Sequence, residues 1–203
     1  MAECSGCGEN GMFLKLNNEG LCKACQALME SSSVHFSRVE REFVRTQDDG
    51  IRIGGIRSSI ESLSSGNLYI AAMYAISAKS YDLAEKLLTL SEQKAENIVT
   101  LHFCYNTWID LLYKQREDLK CLARCIEYCK KDIVMYPKLC KDLFFADQEV
   151  HIPSFERLAI IYEKQGDLRA AASINELAIS YKTIMFREKY QKRLDKVRAK
   201  MNK

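Results

Sequence analysis

The chain has 203 residues, of which 47% are hydrophobic and 28% charged, with two prolines, nine glycines, nine cysteines and a formal net charge of +3. That length fits one ordinary domain with a small satellite, and so little proline and glycine excludes a collagen-like or linker-rich chain. No apolar run is long enough to cross a bilayer, and residues 1–20 lack the basic start and apolar stretch of a secretory signal, so a cytoplasmic location with reduced cysteines is expected.

The first element is carried by two C-x-x-C pairs. Cys4 and Cys7, followed by Gly8, bring two thiols to one tight turn, and Cys22 and Cys25 repeat the spacing after fourteen intervening residues. Between them Met12–Leu16 and Leu21 flank the turn-rich Asn17–Gly20, the pattern of a β-hairpin, and the helix formers after Cys25 set the second pair one turn apart on a helix face. Four thiolates fill a tetrahedral zinc shell and leave no open position, so one structural Zn2+ held by Cys4, Cys7, Cys22 and Cys25 is expected, and catalytic zinc is not. So short a segment needs the ion in place of a core. Knuckle, hairpin and helix together resemble a treble-clef or zinc-ribbon finger. Residues 1–30 hold only Lys15 and Lys23 against Glu3, Glu9, Glu19 and Glu30, a balance that favours a protein-facing or purely structural finger over a phosphate-binding one.

Residues 31–65 read as connecting helices. Phe36, Val39, Phe43 and Val44 recur at helical spacing, Gln47–Gly50 marks a break, and Ile53, Ile56, Ile60 and Leu63 predict a second short helix stopped at Ser64–Asn67.

Residues 66–181 read as helical repeats. In the stretch 154–181, Leu158, Ala159, Tyr162, Gly166, Asp167, Ala171 and Ala178 stand at spacings at which large side chains fill a helix pair and small ones allow close crossing. This stretch resembles a tetratricopeptide repeat, with two departures: Asn175 stands where a large apolar residue is usual, and Thr183 where proline closes the unit. Gly66, Ala71 and Ala78 echo Gly166, Ala171 and Ala178, and Tyr113, Asp118, Leu119, Ile126 and Pro137 resemble a further degenerate unit. The resemblance implies a mainly α fold: a short right-handed helical solenoid of about three pairs behind the N-terminal β-hairpin finger. A non-repeating helical bundle is the alternative packing.

Cys121, Cys125 and Cys129 fall on one helix stripe beside Leu122 and Ile126, with Cys104 and Cys140 elsewhere; without a C-x-x-C pair they read as core thiols. His35, His102 and His151 are isolated, Glu117, Asp118, Asp147 and Glu149 lie in polar stretches, and no phosphate loop, G-x-G-x-x-G or G-x-S-x-G occurs, so no enzymatic activity is expected.

Residues 1–65 carry seven Lys/Arg against nine Asp/Glu, residues 66–181 fourteen against sixteen, and residues 182–203 nine against two. All of the positive excess therefore sits in the final 22 residues, which contain a predicted last helix over about 183–200 with Phe186, Tyr190, Leu194, Val197 and Met201 on one stripe. Such a helix caps a repeat array, and Lys189, Lys192, Arg193 and Lys196 are its candidate partner surface. The expectation is a non-enzymatic adaptor that binds a protein or peptide; a nucleic-acid-associated regulatory protein using the basic helix is the alternative.

Overall fold

The structure, a computed structural model, describes residues 2–3, 10–11, 15–16, 18, 20, 23, 50–53, 56–142, 144–145, 149 and 151–202. Cys4, Cys7, Cys22, Cys25 and the helix expected around Phe36–Val44 lie outside the described residues. The chain divides into two compact units, Met1–Leu90 and Ser91–Lys203, and is mainly α-helical.

In the first unit, β1 (Ala2–Glu3) pairs antiparallel with β2 (Asn10–Gly11), with Ala2 opposite Gly11. Strands β3 (Gly50–Ile53) and β4 (Ile56–Ser59) form a second antiparallel pair, with Ile53 opposite Ile56, followed by a 3-10 turn over Ile60–Ser62. This corrects the short helix expected over Ile53–Leu63. Ile53, Ile56, Ile60 and Leu63 fit a helical period, but Ile51-Arg52-Ile53 alternates and only Gly54-Gly55 separates the strands, a composition that suits a two-residue hairpin connection.

Ser64–Asn67, expected to stop a helix, instead starts one. The Ser64 side chain caps α1 (Ser65–Ser77) by accepting from the Asn67 amide at 3.3 Å, the arrangement that satisfies an otherwise orphaned N–H. Leu68, Ala71, Ala72 and Ala75 form its buried face. Helix α1 closes with Lys79 in the left-handed region at φ 59°, the Lys79 amide bonding the Ile76 carbonyl and the Ser80 amide that of Ala75. Helix α2 (Tyr81–Gln93) follows directly.

The second unit continues through α3 (Ile98–Lys114), α4 (Leu119–Leu139), α5 (Pro153–Lys164), α6 (Leu168–Ser180) and α7 (Arg187–Met201). Asn97, Asp118 and Asp167 cap α3, α4 and α6, and Pro153 opens α5 where its missing N–H costs nothing. From α3 onward each helix packs on the next in sequence. Trp108 stacks on Tyr128 at 5.0 Å between α3 and α4, and the buried Tyr136 meets Phe155 edge-on at 5.8 Å between α4 and α5. Each such side chain removed from water contributes about 1.5–3 kcal/mol.

The α5–α6 turn repeats the α1–α2 turn. Gly166 is left-handed at φ 80°, its amide bonds the Glu163 carbonyl, and the Asp167 amide bonds that of Tyr162. Lys79 and Gly166 are thus the equivalent residues. At matching distances from them stand buried Leu68 and Phe155, Ala72 and Ala159, Ala84 and Ala171, and Ser91 and Ala178. The sequence echo was off register: Gly66 lies in the first turn of α1 and is not a turn glycine. In the middle pair Asp118 does cap the second helix as Asp167 does, but Pro137 sits inside α4 and closes nothing. Asn175 is fully buried and keeps its side-chain N–H satisfied by donating to the Ala171 carbonyl at 2.7 Å. Among the described residues, no helix is long and apolar enough to cross a membrane.

Candidate functional site

Helix α7 begins at Arg187, later than expected, with Phe186 as its N-cap in the left-handed region at φ 61° and no side-chain cap. Tyr190, Leu194 and Val197 are buried, the last two in one cluster with Ala171 and Ala172 of α6. Phe186 and Met201, expected on the same stripe, are 53% and 43% exposed because they fall at the helix ends, beyond the reach of α6. Tyr190 Oη donates to the Ile152 carbonyl at 3.4 Å.

Of the seven basic residues of α7, four are paired with carboxylates. Lys189 Nζ bonds Glu156 at 2.8 Å, Arg193 bonds Glu163 at 3.1 Å and approaches Glu156 at 3.9 Å, Lys200 bonds Glu163, and Arg198 bonds Glu176 at 2.8 Å. Four cations therefore face carboxylates of α5 and α6. The hydrogen bond from Lys200, then the nearby charges of Lys200 and Arg193, hold the Glu163 carboxyl below the usual carboxylate range against the opposing effect of burial. Lys192 and Lys196 are exposed and without an ion pair among the described residues.

All four residues of the expected surface, Lys189, Lys192, Arg193 and Lys196, line one cavity of about 1040 Å³. The cavity also takes in Lys182 and Arg187, two exposed cations that sequence spacing had not singled out, together with the aromatic ring of Phe186. Among the described residues the acidic lining is Glu149, Glu163 and Glu188, which leaves a net excess of three positive charges there. His151 meets the Phe186 ring edge-on at 5.6 Å, and burial pulls its pKa down, which favours the neutral imidazole.

The connector that carries Lys182 is clamped from α4. Tyr136 Oη shares a hydrogen bond of 2.8 Å with Thr183 Oγ1, and its ring meets that of Tyr181 edge-on at 4.7 Å.

A second polar constellation lies inside the helical stack. His102 Nδ1 is 2.6 Å from one oxygen of Asp132, Ser154 Oγ donates to the other at 2.6 Å, and Asn106 Nδ2 lies 3.0 Å from His102 Nε2. His102, Asp132 and Ser154 are all buried. Serine, histidine and aspartate suggest a catalytic triad by type, but the connectivity is different. A nucleophilic serine needs the imidazole as its base, whereas here the carboxylate stands between the two and the free imidazole nitrogen is matched with Asn106. The arrangement braces α3, α4 and the first turn of α5. Its only trace in the sequence is Asp132 standing at core spacing among Cys125, Cys129 and Tyr136.

Cys104, Cys125 and Cys129 are buried, and Cys121 and Cys140 half-buried. Burial pushes the Cys104 thiol up to about 11, and the hydrogen bond with Cys125, followed by burial, raises that of Cys129. A thiol kept protonated is a poor nucleophile and metal ligand, so these two behave as small apolar groups. Among the described residues, no group of three or more His, Cys, Asp and Glu side chains is placed to hold a metal ion.

Compared with known protein families, curated proteins and solved structures, the chain matches none of them.

Proposed function

We propose that the chain is a non-enzymatic adaptor that binds a protein or peptide, built from a short tetratricopeptide-like solenoid, an N-terminal structural zinc finger and α7 as a cap. The observation that carries the reading is the equivalence of Lys79 and Gly166. Two helix pairs close with the same left-handed turn and place small residues, Ala84 and Ser91 in one and Ala171 and Ala178 in the other, at the same buried positions. Stacked helix pairs of this kind offer an extended surface for partners. On this reading Cys4, Cys7, Cys22 and Cys25 hold one Zn2+ that keeps residues 1–30 folded, and five free thiols in the helical body suit a reducing compartment such as the cytoplasm.

The nucleic-acid reading draws its support from the exposed Lys192 and Lys196. It is weakened by the ion pairs that neutralise Lys189, Arg193, Arg198 and Lys200, since affinity for a phosphate backbone scales with the number of cations free to meet it.

The test is cross-linking and affinity capture with the intact zinc-loaded protein in its native cell extract, beside a gel shift on single- and double-stranded oligonucleotides. A saturable protein partner and no shift at moderate salt are expected. A salt-resistant shift, or turnover of a substrate with no protein partner, would overturn the adaptor reading.

A further inference from the structure

We propose that the cavity bounded by α7 and the Tyr181–Phe186 connector is a binding site for a short acidic peptide segment, held by Lys182, Arg187, Lys192 and Lys196 and seated against Phe186. The inference rests on the adaptor reading and names the chemistry of its partner.

Three observations carry it. First, these four cations are exposed, line one cavity and have no ion pair among the described residues, while Lys189, Arg193, Arg198 and Lys200 each have one. Six cations against three carboxylates leave the described lining net positive, and an incoming anionic group is attracted to that excess. Second, the cavity holds about 1040 Å³, at the upper end of the roughly 300–1,000 Å³ typical of ligand sites, which gives space for several side chains. Phe186, half-exposed at its edge, supplies an apolar contact within the charged ring, the combination suited to carboxylates interspersed with an apolar residue.

Third, the field is confined. Glu149 and Glu188 share the lining, and Arg198 and Lys200 at the far end of α7 are matched to Glu176 and Glu163. A nucleic-acid strand needs a continuous cationic track. A closed cluster interrupted by carboxylates fits a partner whose own charge is local, and that describes an acidic peptide. The residue set also differs from the one spacing suggested, because Lys189 and Arg193 serve to dock α7 while Lys182 of the connector and Arg187 at the start of α7 join the site.

The test uses fluorescence anisotropy of the full chain with a fluorescein-labelled oligoglutamate peptide carrying one phenylalanine. Comparison probes are the same peptide with glutamine for glutamate and a single-stranded oligonucleotide. The double variant K192E/K196E should weaken peptide binding by about tenfold or more. The charge-matched K130E/K138E, at exposed positions of α4 outside the cavity, should change it by less than about twofold. Unchanged circular dichroism for both variants secures the comparison, and Lys182→Gln and Arg187→Gln in an otherwise intact α7 give a second route to the same loss. Equal weakening by both double variants, equal binding of the glutamine peptide, tighter binding of the oligonucleotide, or no peptide binding would each overturn the inference. Failure here is separable from failure of the adaptor reading: a captured protein partner indifferent to K192E/K196E leaves the adaptor standing and removes this site.

Discussion

His102 Nδ1 and Asp132 Oδ1 are 2.6 Å apart in the buried interior, thirty residues distant in sequence, and the second oxygen of the same carboxylate receives the Ser154 hydroxyl. One side chain of α4 thereby fastens helices on either side of it. Asp132→Ala strands two buried donors at once. Each costs about 1–3 kcal/mol when left unsatisfied, so a loss of roughly 3 kcal/mol is expected in urea unfolding. A loss below about 0.5 kcal/mol would show that the brace does not hold the three helices together.

The two left-handed turns should respond in opposite directions. Gly166 has φ 80° and nothing within 4 Å of where a Cβ would stand, so Gly166→Ala tests backbone strain without a clash. A loss of about 1 kcal/mol is expected, and Lys79→Gly, relieving the same strain at φ 59°, should gain about 0.5–1 kcal/mol. Thermal melts of both variants check the pair; matching signs would refute the equivalence of the turns.

Helix docking by Glu163 carries a pH signature. Its folded pKa is depressed, chiefly by Lys200, so the stabilisation is complete above the unfolded value of about 4.3 and is lost as pH falls through the folded value. Glu163→Gln should be less stable than the parent at neutral pH, with the gap closing through the acid range. Melts in steps from pH 7 to pH 3 measure this, and a gap that widens on acidification would contradict it. Added salt should also narrow the gap, since part of the pairing is exposed.

The proposed zinc finger predicts one equivalent of zinc per chain by elemental analysis. Cys4→Ser combined with Cys22→Ser should abolish it while leaving the far-UV helical signal nearly unchanged, because the described helices begin at Ser65. Loss of most helicity on chelation would instead couple the metal to the helical body.

Legibility in the sequence followed the range of the interactions. Helices α5 to α7 could be read because Leu158 and Tyr162, Ala171 and Ala178, and Tyr190, Leu194 and Val197 stand at local helical spacings and Gly166 marks a turn by its composition. The β3–β4 pair was not legible because Ile53, Ile56, Ile60 and Leu63 satisfy the helical period, while the strand signal rests on the short alternation Ile51-Arg52-Ile53 and the adjacent glycines. The Asp132 brace and the Tyr136–Thr183 bond join residues far apart in sequence, which no local pattern encodes. The cavity was half legible: α7 displayed its charge as a pattern, whereas which cations were already matched depended on Glu156 and Glu163 of a separate helix.

The clamp on the connector gives the cavity a mechanical character. Lys182 lies between Tyr181, which rests edge-on against Tyr136, and Thr183, which shares that tyrosine's hydroxyl bond. The connector is thereby tied to α4 on both sides of the lysine, and on the proposed reading an arriving acidic peptide does not have to order a slack loop before it can be gripped. Tyr136→Phe keeps the ring contact with Tyr181 but removes the bond to Thr183, so the proposed peptide binding should loosen although every charge remains in place.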